Sequence, residues 1–88
     1  MTVALNTARK VRAIQSTATL QVLLAERDFS SEGCTKLLRE ADYLAGLLYD
    51  SPCEQLGIVL CRVLWRPEEE HARNALLALE HELTEGVC

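Results

Sequence analysis

The sequence predicts an all-α fold, a small antiparallel bundle of three to four helices, and three observations carry that expectation. Apolar residues recur at helical spacing along most of the chain. Val and Ile are scattered, and no alternating apolar and polar run supports a strand. Capping residues and prolines interrupt the helical pattern at three places, around 28–32, 50–54 and 65–67. With 88 residues there is room for one domain, 1–88, and the split of 49% hydrophobic to 25% charged is that of a globular chain.

The first helix is expected at about 4–27. Ala13, Leu20 and Leu24, joined by Val11, Ile14, Ala18 and Ala25, give it a wide apolar arc, with Arg9, Arg12, Ser16 and Thr19 as the wet strip opposite. Phe29-Ser30-Ser31-Glu32 then provides a serine cap and an aromatic placed to staple onto Cys34. A second helix follows, about 31–49, with Cys34, Leu37, Leu38, Ala41, Leu44, Ala45 and Leu48 as one clean stripe. Pro52 suits a first helical position, and Ser51 with Glu54 fits a capping box, so a third helix is expected at about 52–65. Its core face is Leu56, Leu60, Val63 and Leu64, and Gly57 offers a close approach to a neighbour. At Trp65-Arg66-Pro67 the chain must stop or kink, because proline lacks an amide hydrogen and disfavours helical backbone before it. The three glutamates that follow favour a fresh fourth helix at about 67–85 over one kinked rod. Ala72, Ala75, Leu76, Leu79 and Leu83 face its core, and Gly86 stops it.

Several function classes lack the residues they need. Zinc sites use ligand pairs on one turn or face, whereas Cys53 and Cys61 are eight apart and His71 and His81 ten apart, so no metal is expected. A Cys61–His71 nucleophilic pair is separated by helix phase and has no electropositive surroundings. No glycine-rich phosphate loop is present, so no cofactor and no enzymatic activity are expected. Glu68-Glu69-Glu70 reads as a solvated helix start, with Glu69 four residues before Arg73 and able to pair with it.

The net charge of −4 is uneven. Residues 1–27 hold four cations against one acid, and residues 28–88 five cations against twelve acids. An acidic body argues against nucleic acid, which is bound mainly by phosphate neutralisation; the alternative is a small nucleic-acid-binding regulator using the basic first helix. No apolar run is long enough to span a membrane. The polar, basic stretch from Met1 to Arg12 has no apolar segment behind it, so a cytoplasmic location is expected, with Cys34, Cys53 and Cys61 as reduced thiols in apolar patterns and Cys88 accessible. The even number of cysteines keeps a disulfide as the competing reading.

What remains is binding to protein. Between Leu56 and Trp65 the one charged residue is Arg62, so the third helix is apolar nearly all round. Ile58, Cys61 and Trp65 lie behind its core face at the spacing of groove-binding anchors, next to Arg66. The competing explanation is that this helix is simply the most buried. Tyr43 and Leu47 project from the second helix away from its stripe and join the candidate contact set. In size and composition alone the chain resembles the general class of short helical proteins, frequent in bacteria and their phages, that occupy a surface of a larger protein. The expectation is thus a non-enzymatic regulator or inhibitor with a protein partner and a homodimeric state.

Overall fold

A computed structural model of the chain describes residues 4–86 and 88. Four helices follow one another: α1 (Thr7–Glu26), α2 (Ser31–Leu48), α3 (Glu54–Val63) and α4 (Glu70–Glu85). Among the described residues there is no strand. Each helix packs on two others: α1 on α2 and α4, and α3 on α2 and α4. The backbones of the diagonal pairs do not come close, so the bundle is a ring of four around one core, and no helix is central. The third helix is therefore not the most buried one, the competing explanation for its apolar character. Helices α1 and α3 both stand at corners and both have an outward face.

The core is mostly leucine. Leu20 from α1, Leu37, Leu44 and Leu48 from α2, Leu60 with Leu64 after it from α3, and Leu76, Leu79 and Leu83 from α4 are all essentially inaccessible. The stripes expected on α2 and α4 are the buried ones. Gly57 is buried where α3 meets α2; a Cβ there would stand 3.0 Å from Leu48 Cδ1 and 3.6 Å from the Ala45 Cα. Its missing side chain is what lets the two backbones approach.

Capping chemistry sets the ends. Asn6 accepts from the Arg9 amide at 2.8 Å, and Ser30 accepts from the Gly33 amide, satisfying amides that have no partner inside the helix. Gly33 lies so close to Asp28 that a Cβ would collide with the Asp28 carbonyl. The turn before α3 differs from the expected capping box. Ser51 is buried, donates to the Leu48 carbonyl at 2.6 Å and accepts from the Cys53 amide at 3.2 Å, while the Glu54 carboxylate accepts from the amide of Asp50 rather than of Ser51. Pro52 therefore sits in a turn, and α3 begins two residues later than expected. Around Pro67 the chain passes through successive turns over 64–69, so α3 and α4 are separate helices, and α4 starts at Glu70. Glu69 pairs with Arg66 at 3.4 Å, not with Arg73.

Two further expectations are corrected. On α1, Val11, Ala18 and Ala25 are exposed, whereas Ser16 and Thr17 are buried and Arg9 is half-buried. The arc is rotated because polar members find partners: Ser16 donates to the Glu40 carboxylate at 2.7 Å, Thr17 to the Ile14 carbonyl, and the Arg9 guanidinium to the Leu47 carbonyl at the end of α2. Each bond offsets the desolvation that would otherwise keep the group in water. The cysteines are the second correction. Cys53 and Cys88 form a disulfide with Cα atoms 6.0 Å apart, and both are buried. Cys88 is therefore not an accessible thiol; Cys34 and Cys61 are free.

Candidate protein-binding surface

The outward side of α3 follows from its phase. Leu60 and Leu64 are buried in the core with Gly57, Leu56 and Val63 lean against it, and at 100° per residue Ile58, Val59 and Arg62 fall outside that sector; Trp65 stands in the turn just past the helix end. Trp65 is 73% exposed, Val59 is exposed and Ile58 is half-buried. Arg62 and Arg66 are exposed beside them, and Arg66 is held by Glu69. An exposed tryptophan, with two arginines and two branched aliphatics close to it in the chain, combines the residue types enriched at the energetic centres of protein contacts.

Cys61, expected on this outer side, is turned toward α2. It is half-buried, packs on the core, and its thiol donates to the Ala41 carbonyl at 3.6 Å. Burial raises the Cys61 pKa above the ordinary thiol value, with Asp42 adding to the effect by like-charge repulsion. It is thus a weak nucleophile. Tyr43 and Leu47 do not join the surface either. Leu47 packs on the core, and its carbonyl receives Arg9 from α1. Tyr43 is exposed on the same flank of α2, the one that carries Glu40 to Ser16, whereas Ala45 and Leu48 on the other flank meet α3 at Gly57. The six residues singled out in the sequence therefore occupy three places: Ile58, Trp65 and Arg66 at the end of α3, Tyr43 and Leu47 on one flank of α2, and Cys61 by itself against α2. Val59 belongs with them and was missed. Its signal was present, since Val59 and Arg62 are three residues apart in α3, on the border of the face that carries Ile58.

Two shallow hollows lie between α1 and α4. One, of about 250 Å³, is bordered by Arg27, Arg73 and the three glutamates; the other, of about 190 Å³, is bordered by Gln21, Ala25, Leu76 and Leu77. Gln21 bonds the Glu80 carboxylate across that seam. Among the described residues no three His, Cys, Asp or Glu side chains are grouped as metal ligands would be, and no helix is long and apolar enough to cross a membrane. Compared with protein-family models, curated proteins and solved structures, the chain matches none.

Proposed function

We propose that the chain is a non-enzymatic module that acts by binding another protein, using the end of α3 around Trp65 as its contact surface. The carrying observation is the exposure of Trp65, at 73%, in a chain whose other large apolar groups are mostly packed inward. Burying a tryptophan withdraws a large apolar area from water, and a neighbouring arginine supplies directional bonds. A small regulator or inhibitor that occupies a surface of a larger protein has this character. The rival, a nucleic-acid binder using α1, is disfavoured because Arg9 is engaged by the Leu47 carbonyl, which leaves few free cations on that helix. A buried disulfide persists in oxidising surroundings, so the Cys53–Cys88 bond weighs against the cytoplasmic location expected from the N-terminal stretch.

The test uses immobilised wild-type chain and the double variant Val59→Glu/Trp65→Ala, both positions being exposed. Proteins captured from the native cell are identified by mass spectrometry and titrated in purified form against both chains. The expected outcome is a partner whose affinity falls at least tenfold in the variant while the helical circular dichroism is unchanged. Equal affinity for the two chains would remove α3 as the surface.

A further inference from the structure

We propose that the outward face of α1 is a self-association seam on which a second copy of the chain docks, with the two α1 helices antiparallel. Ala8, Val11, Gln15, Ala18, Val22 and Ala25 are separated by alternating steps of three and four residues and are all exposed. That is the spacing at which one helix presents a continuous strip to another. Val11 and Val22 are 47% and 59% exposed, and no member of the strip is charged. The outward faces of the neighbouring helices differ: α2 shows Arg39 and Asp42, and α4 shows Glu70, Arg73 and His81.

The occupant follows from the order of the strip and from the charges beside it. Antiparallel pairing with full overlap of Thr7–Glu26 sets Ala8 against Ala25 of the second copy, Val11 against its Val22, and Gln15 against its Ala18. The outer layers thus set alanine on alanine and valine on valine, and in the central layers the longer Gln15 lies over the small Ala18, so the face can pack on itself under a two-fold axis. Lys10 and Arg12 lie on the first half of α1, whereas Glu26 at its end and Arg27 and Asp28 just past it together carry a net charge of −1. Antiparallel pairing brings the basic start of one copy to the weakly acidic end of the other; parallel pairing sets the two basic starts together. The apolar strip also continues onto α4 through Leu77, 51% exposed beside the hollow at Ala25. The seam is about 30 Å long at 1.5 Å per residue, just under three heptads, which fits a dissociable dimer rather than a permanent one. It leaves α3, at the opposite corner of the ring, free for the contact proposed above, and does not depend on it.

Sedimentation equilibrium over a range of micromolar concentrations tests the proposal. The wild type should behave as a reversible dimer, Ala18→Glu at the middle of the seam as a monomer of unchanged helicity, and Trp65→Ala as a dimer like the wild type. Orientation is read by cross-linking in a chain carrying Cys34→Ser and Cys61→Ala. Val11→Cys mixed with Val22→Cys should give a cross-linked dimer, and neither variant should do so alone. A monomeric wild type, an undiminished dimer in Ala18→Glu, or self-cross-linking of Val11→Cys would each overturn the proposal. Should Ala18→Glu lose helicity, the cross-linking pattern decides by itself.

Discussion

The two corner helices α1 and α3 have the same inner chemistry and opposite outer chemistry. Each supplies fully buried leucine to the core, Leu20 from α1 and Leu60 from α3, and each rests on α2 and α4. Outside, α1 shows a long uncharged strip of small and medium residues, whereas the shorter α3 ends in one exposed tryptophan between arginines. They are also held differently. Asn6 caps α1, and a left-handed Arg27, its guanidinium over the Phe29 ring, closes it. The first residue of α3 has no side-chain cap; the residue before it, Cys53, is bonded covalently to Cys88. Because the two faces differ in kind and stand at opposite corners of the ring, the two proposed contacts can be tested apart.

The strongest way to break that comparison is to remove the covalent tie, which α1 does not have. Cys53 and Cys88 are 35 residues apart, and a loop of that length restricts the unfolded chain by about 4 kcal/mol. Cys88→Ser, or reduction of the native protein, should lower the unfolding free energy in urea by roughly that amount. A loss below about 1 kcal/mol would show that packing alone holds α3 in place, making it the equal of α1 in this respect.

Next in size is the pair Leu20→Ala and Leu60→Ala. Both side chains are fully buried, so each should cost about 3 kcal/mol in denaturant unfolding, the usual loss when a core leucine is emptied. Near-equal losses would confirm that the corners differ only outside. A much smaller loss at Leu60 would mean that the ten-residue α3 can move into the cavity, and that its surface is less fixed than that of α1.

The same contrast explains what the sequence made legible. Helices α2 and α4 have one apolar stripe and charged residues elsewhere, so periodicity alone located their core faces. Helix α1 has apolar residues on two sides, and the choice between them lies outside the helix. Ser16 and Arg9 can be buried because Glu40 and the Leu47 carbonyl wait on α2, a fact of tertiary contact. On α3, Ile58 and Trp65 were readable as outward, but Cys61 was misplaced because it sits at the boundary of the core sector, where a neighbour's backbone decides its direction. Tyr43 was read correctly as projecting from α2; that it faces the flank toward α1 requires the ring order. The disulfide joins a turn to the chain end across 35 residues, and spacing says nothing about such a pairing.

The smallest expected effect concerns the thiol of α3. Burial is the main reason that the Cys61 pKa is raised above its ordinary value of 9.0, and the charge of Asp42 adds to it. The charged form is therefore disfavoured in the folded chain relative to the unfolded one. The resulting stabilisation is fully present below the unfolded value and is lost as the pH rises through the higher folded value, because there the unfolded state has released its proton and the native state has not. In Cys34→Ser, which leaves Cys61 as the free thiol, alkylation of native protein should keep accelerating with pH after the denatured chain has levelled off. The unfolding midpoint should fall slightly over the same range, and Cys61→Ser should remove that slope. Helix α1 has no thiol, so the slope belongs to the α3 corner alone. If native Cys61 titrated at or below 9.0, it would have to point to water instead of to the Ala41 carbonyl, and the outward face of α3 would include it after all.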